Sequence, residues 1–333
     1  MRVLLWHVHG GYTDAFVRGD HEYLLPLGAD GGGLQGRVWP AAREVAADEL
    51  RASDFDVVVL QRPEELQLVE ELTGRRPGRD LPAVYLEHNT PKPDATGTRH
   101  PLADRGDIRI VHVTHFNALF WDNGRAPTVV VEHGVPDPGL QYTGRMRRLG
   151  VVVNEPVRRG RVTGTDLLPV FAAVAPVDVF GMKAEGVAAA LSVSERSVVA
   201  AGDLPPARLH SQLAQRRVYV HPFRWTSLGL ALLEAMHLGM PVVGIAATEA
   251  SRAVPPEAGF VSNDLDALTR EVRRLLADPD LAVERGRQAR RHALQHYGLA
   301  AFLQRWDAVL AEAAASTSGP RLLARTLAQP GGG

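Results

Sequence analysis

Short, wholly apolar runs alternate along this chain with longer stretches whose apolar positions recur three and four residues apart. The short runs read as strands buried on both faces, as parallel sheets require. The longer stretches read as helices that cover them. In the first part of the chain the strands are Arg2–Val8, Asp56–Gln61, Pro82–Leu86, Ile108–Val113 and Thr128–Val131. A helix spans Glu64–Leu72, and a further helix starts over His115–Trp121. In the second part the strands are Leu149–Val153, Val177–Gly181, Ser197–Ala200, Val218–Val220 and Val242–Ile245. Helices there cover Leu228–Leu238, Asp264–Leu276, Ala282–Tyr297 and Ala300–Ala313. Strands alternating with helices indicate an α/β chain.

The densest information lies in Arg217–Ala246, RVYVHPFRWTSLGLALLEAMHLGMPVVGIA. It reads as strand, loop, helix, strand, a βαβ unit with a right-handed crossover. Thr226 or Ser227 is placed to cap the helix, since a short hydroxyl accepts from a free first-turn N–H. Leu228 opens a helix that is apolar almost all round and hence buried. Glu234 breaks that pattern. A buried unpaired charge is costly, so Glu234 either has a partner or faces a cleft at the carboxyl ends of the strands.

Composition narrows the classes. A chain of 333 residues holds two domains with sizeable cores. The net charge of −1 gives no bulk attraction to nucleic acid or an anionic membrane. There are no cysteines, so disulfides and thiolate metal sites are excluded and a reducing cytoplasm suits the chain. Only Lys92 and Lys183 are lysines, and Ala and Gly are abundant, a bias of GC-rich bacterial coding. No signal peptide is expected, because the apolar start is short. The apolar tract Leu228–Ala247 is interrupted by Glu234, His237, Gly239 and Pro241, so no membrane segment is expected.

Other residues bear on chemistry. Gly10-Gly11 after the first strand form a turn that lets backbone approach a ligand closely. His7 and His9 beside it read as packed or solvated. Asp54-Phe55-Asp56 spells a metal–diphosphate pattern, but it starts a strand, at the end away from a ligand cleft. Thr90–Gly106 lacks a period and reads as a functional loop or lid. The aromatics of His115–Trp121 suit either an apolar ligand pocket or, more simply, a core. Arg145, Arg147 and Arg148 read as a solvated basic cluster.

The segment HPFRWTSLGLALLEAMHLGMPVV resembles the nucleotide-sugar motif of family 4 retaining glycosyltransferases, P-S-x-x-E-G-F-G-L-x-x-L-E-A-M-A-x-G-x-P-V-V. The match runs from Leu228 to Val243. The first glutamate of the family's pair is Thr226 here; the second is Glu234. Further likenesses are Glu87-His88-Asn89 for a strand ending in His-Asp or His-Glu, and Glu132–Asp137 for I-P-N-G-V-D. Asn154–Leu168 resembles G-R-L-x-x-x-K-G-x-x-x-L-L, with Arg158 at the arginine and Thr163 at the lysine. Gly202–Pro205 resembles a G-x-V-P loop near the nucleotide base. The resemblance covers about residues 1–313.

It implies a GT-B fold, with two Rossmann-like domains whose parallel sheets face a cleft. Residues 1–140 form the acceptor-side domain and 141–313 the nucleotide-sugar domain, joined by a linker at Pro138–Arg148. The last helix, about 300–313, packs back on the first domain, and 314–333 form a flexible tail. The implied activity is metal-independent transfer of a sugar from a nucleotide-sugar donor, with retention, to a small-molecule, lipid or glycan acceptor. No cofactor beyond that co-substrate is implied. Arg158, with Arg161 replacing the missing lysine, would grip the donor diphosphate beside Gly10, Gly11 and Thr163, because guanidinium suits bidentate phosphate contact. His88 would contact sugar and acceptor. Arg224, Thr226, Ser227, Leu228 and Glu234 would hold sugar and ribose. Two alternatives stay open: an inactive nucleotide-binding protein, suggested by Thr163 and Thr226, and a nucleotide-sugar epimerase on the same fold.

Overall fold

A computed structural model describes residues 1–28 and 32–316. The chain divides into two compact units, residues 1–134 with those from 300 onward, and residues 135–299. The tail expected over 314–333 lies outside the described residues from 317 on; its first three residues continue the helix Leu299–Ser316.

The first unit holds seven strands: β1 (Arg2–Leu5), β2 (Glu22–Pro26), β3 (Ala42–Val45), β4 (Val57–Leu60), β5 (Ala83–Glu87), β6 (Arg109–His112) and β7 (Thr128–Val130). They pair in the order β3-β2-β1-β4-β5-β6-β7, all parallel. The order reverses between β1 and β4, and ligands of such sheets sit outside the carboxyl ends at that switch point. The apolar runs are what make this possible: every residue of Val57–Leu60 and Ala83–Glu87 is buried, so both sheet faces are covered.

The second unit repeats the plan with six strands: β8 (Met146–Val152), β9 (Val177–Phe180), β10 (Val198–Gly202), β11 (Arg216–His221), β12 (Val242–Ile245) and β13 (Gly259–Ser262). Their order is β10-β9-β8-β11-β12-β13, and the reversal falls between β8 and β11. Successive side chains go to opposite faces. Val218 and Val220 enter the core with Phe171 and Val272, while Tyr219 between them joins Leu232, Leu233 and Met236 on the other face.

Three readings are corrected here. Gly10-Gly11 do not form a turn: they open the helix Gly10–Phe16, with His9 at its N-cap. The central helix starts at Leu230, with Gly229 at the cap, so neither Thr226 nor Ser227 caps it. Arg148 is not solvated with its neighbours. Its guanidinium and that of Arg216 converge on Asp178, which is 2 % exposed. A buried carboxylate demands such partners.

Candidate functional site

In the second unit the β8 and β11 loops meet at the switch point. After β8 the chain turns through Glu155, whose φ is +54°. It makes a short helix Pro156–Arg159 and a 3₁₀ turn Gly160–Thr163, then passes Gly164 at φ +69°. The β11 loop, Pro222–Gly229, is tied to this one by backbone bonds. The amides of Arg224 and Trp225 both donate to the Val162 carbonyl, at 3.0 and 3.1 Å. The Arg224 guanidinium donates to both Asp166 carboxylate oxygens, at 2.6 and 2.9 Å, and to the Arg161 carbonyl at 2.9 Å. Arg161 donates to the same Asp166 at 3.1 Å. Arg224, foremost, holds the Asp166 carboxyl below its ordinary range.

The sequence-selected residues therefore divide. Arg161, Thr163 and Arg224 come together, and all three are engaged within the protein. Arg224 braces the loops through Asp166. Thr163 is 1 % exposed; its hydroxyl reaches the Gly160 carbonyl and the Thr165 hydroxyl, which donates to the Pro156 carbonyl at 2.8 Å. Arg158 is turned outward onto Glu155, which also accepts from Lys183 at 2.9 Å. Those two contacts, Arg158 first, hold the Glu155 carboxyl down to about 2. Thr226 is half-buried, while Ser227 and Leu228 are buried at 7 and 8 %. Glu234 is half-buried, with the His210 ring at 3.6 Å.

Sequence reading missed Arg159. Its guanidinium is half-buried at this loop and makes no hydrogen bond or ion pair to the described residues. Burial first, then Arg158, lowers its pKa, yet a guanidinium stays charged. A partly desolvated cation at a switch point favours an anionic partner. Lys183 was visible as one of two lysines. Asp166 carried no signal of its own.

Gly164 fixes the meeting of the two loops. A Cβ there would lie 1.8 Å from the Pro222 carbonyl oxygen, on a backbone L residues rarely adopt. Gly164→Ala is expected to force the loops apart and weaken nucleoside diphosphate binding at least tenfold, about 1.4 kcal/mol. Calorimetric titration beside a thermal melt checks this; unchanged affinity with an unchanged melt contradicts it.

In the first unit the carboxyl ends carry a histidine cluster. The His88 Nε2 lies 3.0 Å from the Gln61 Oε1, and the Gln61 amide donates to the Trp6 carbonyl at 2.6 Å. Because the Gln61 oxygen accepts, the His88 Nε2 carries the proton and its Nδ1 presents a lone pair. The His9 ring lies tilted against His88 with centroids 4.1 Å apart, and the Tyr12 ring meets His88 edge-on at 4.7 Å and His133 at 5.6 Å. Burial, then His9 and His133, push the His88 ring well below the ordinary imidazole value. It is neutral near pH 7 and suited to accept a bond from a hydroxyl.

The segment read as a lid is pinned. His100 is buried, its Nε2 lies 3.2 Å from the Glu87 carboxylate, and its Nδ1 accepts from the Leu102 amide. The aromatics after β6 are not core: Phe116 and Phe120 stack at 4.1 Å, partly exposed beside Leu119, which is 79 % exposed. Asp54 and Asp56 stand at the opposite end of the sheet, where Asp56 accepts from the Arg2 amide. Among the described residues, no group of three or more His, Asp or Glu is arranged to hold a metal ion. None of their helices is long and apolar enough to cross a membrane.

Residues 173–278 match the family described as Glycosyl transferases group 1. A mannosyltransferase of lipopolysaccharide core biosynthesis, LpcC of Rhizobium leguminosarum bv. viciae, is 36% identical over 121 residues, 35% of this chain. The match spans 33% of that relative's length. Among solved structures, sucrose-phosphate synthase of Thermosynechococcus elongatus superposes with a TM-score of 0.73 at 15% identity, covering 95% of this chain and 100% of that one. HepE of Anabaena, solved with UDP and glucose, gives 0.70 at 16%, covering 94% and 100%. The chain thus has the GT-B fold, two parallel Rossmann-like sheets, and its residues 173–278 match the group 1 glycosyl transferase family.

Proposed function

We propose that this protein is a glycosyltransferase that moves a sugar from a nucleotide-sugar donor to an acceptor with retention and without a metal. The observation that carries the reading is Arg159, a half-buried guanidinium at the β8 carboxyl end with no side-chain hydrogen bond or ion pair among the described residues. Two phosphates supply the charge it lacks. Arg158, Arg161 and Lys183, each paired with Glu155 or Asp166, add at most a secondary contribution, and helix-end amides with Arg159 take the place of a divalent ion. Glu234 accepts the ribose hydroxyls, and Thr226 faces the sugar with one hydroxyl where the family has a carboxylate. His88 accepts from a substrate hydroxyl through Nδ1. The mannosyl and glucose-bound relatives support a hexose as the transferred group. The acceptor is a small molecule, lipid or glycan, and the setting is the bacterial cytoplasm.

The test is incubation of the full chain with UDP-, GDP-, ADP- and TDP-hexoses in EDTA with a panel of acceptors. Nucleoside diphosphate release and the anomeric configuration of the product are followed by NMR. Release with retention is expected in EDTA. Activity that appears only with added manganese overturns metal independence, and an inverted product overturns retention. A second reading has one observation in its favour: Arg224 is locked to Asp166 next to Thr226. Tight nucleotide binding with no turnover of any donor would support that reading, an inactive nucleotide-binding protein.

A further inference from the structure

The helix Pro206–Leu213 follows β10 and brings His210 against the central helix Leu230–His237. The His210 side chain is 13% exposed, and its Nε2 lies 3.6 Å from the Glu234 Oε2. That nitrogen is buried and makes no hydrogen bond. Glu234 itself is 28% exposed, so its carboxylate sits at the boundary between the helix packing and open space. Two other titratable groups feel the Glu234 charge. Tyr219 of β11 is kept protonated by burial first and then by Glu234. His237, one turn further along the same helix, directs its Nδ1 to the Leu233 carbonyl at 2.8 Å. Among the described residues, His210 is thus the basic group within ion-pair reach of Glu234.

A carboxylate at the end of a flexible side chain presents either oxygen. A donor fixed to one oxygen leaves the other to accept from a ligand in a set direction, which is how supporting groups sharpen a site. The 3.6 Å gap is longer than a hydrogen bond, and such contacts tighten when a ligand binds. We propose that His210 is a positioning residue for Glu234. It anchors one carboxylate oxygen so that the other reads the ribose hydroxyls of the bound nucleotide, and so makes the site discriminate ribose from deoxyribose. This rests on the reading that the second unit binds a nucleotide. A hydrogen-bonding site rejects an analogue lacking the hydroxyl because its own polar group is left unpaired.

The experiment is equilibrium binding of UDP, GDP and ADP, and of their 2′-deoxy counterparts, to the full chain. The variants are His210→Leu, His210→Gln, Glu234→Gln and His210→Leu combined with Glu234→Gln, each with a thermal melt. The unaltered protein is expected to favour the ribonucleotide by about tenfold, the size of one charge-assisted contact. His210→Leu should bring that ratio to within about twofold, mainly by weakening the ribonucleotide. His210→Gln, whose amide donates at similar reach, should restore most of it. His210→Leu should add nothing in the Glu234→Gln background, the sign that the two residues act as one. A His210→Leu protein that keeps its ratio, or loses both nucleotides alike, overturns the proposal. So does a loss in His210→Gln equal to that in His210→Leu, which marks a packing role. If none of the diphosphates binds, the nucleotide reading falls and the proposal with it; if they bind and Glu234→Gln changes no affinity, the proposal alone falls. If Glu234→Gln weakens binding while His210→Leu is inert, only the proposal falls.

Discussion

Arg159→Ala is expected to weaken nucleoside diphosphate binding by about tenfold to over a hundredfold, since a charge-assisted contact is worth roughly 1.5–3 kcal/mol. Binding of the corresponding nucleoside should be unchanged. Arg158→Ala and Arg161→Ala should cost less, because both side chains are exposed and already neutralised by Glu155 and Asp166. Exposed pairs of this kind contribute little. Calorimetry with UDP or GDP against uridine or guanosine separates the three residues. An equal loss for nucleoside and diphosphate in Arg159→Ala, or a larger loss in Arg158→Ala, removes the phosphate from Arg159.

Acidification between about pH 6.5 and 4 is expected to destabilise the fold steeply, starting well above the range where carboxylates titrate. Burial, opposed by the Asn123 contact, pushes His112 down to about 4. Burial and then His9 push His133 to about 4, and burial alone pushes His221 to about 3. In the unfolded chain each imidazole titrates near 6.5. Below that value the unfolded state binds protons the folded state refuses, so stability falls as pH falls. It is fully present above the unfolded value and is lost downward towards the folded one. Each such group contributes a slope of up to about 1.4 kcal/mol per pH unit. Domains are stable by only about 5–15 kcal/mol, so two such groups in the first unit consume much of its margin. Urea titrations at pH 7.5, 6.5, 5.5 and 4.5 should show the midpoint dropping throughout. His133→Gln should flatten the slope. A constant midpoint between pH 6.5 and 4.5 contradicts the account.

The sheets were legible because burial on both faces leaves a mark in the chain itself. Val57–Leu60 and Val242–Ile245 are apolar without a break, and both are strands. Glu234 was legible as an exception, a carboxylate on an apolar helix, and the structure places it at the packing edge. Arg159 was not legible. It differs from Arg158 only in the direction its side chain takes from a four-residue helix, and Arg158 is drawn outward by Glu155 while Arg159 is not. His210 was hidden for a similar reason, because its approach to Glu234 is made by the helices Pro206–Leu213 and Leu230–His237 packing against each other rather than by spacing. The helix start was misread because Thr226 and Ser227 look like caps, while the loop before the helix is held by Val162 and Asp166 and extends to Gly229.

The central claim is that the nucleotide part of a sugar donor binds at the β8–β11 switch point of the second unit. Amide hydrogen exchange of the full chain, with and without saturating UDP, GDP or ADP, tests it most directly. The expected result is slowed exchange in residues 154–164 and 222–234 with at least one of the three, and loss of that protection in Arg159→Ala. Protection confined to residues before 135, or none with any of the three, would contradict it.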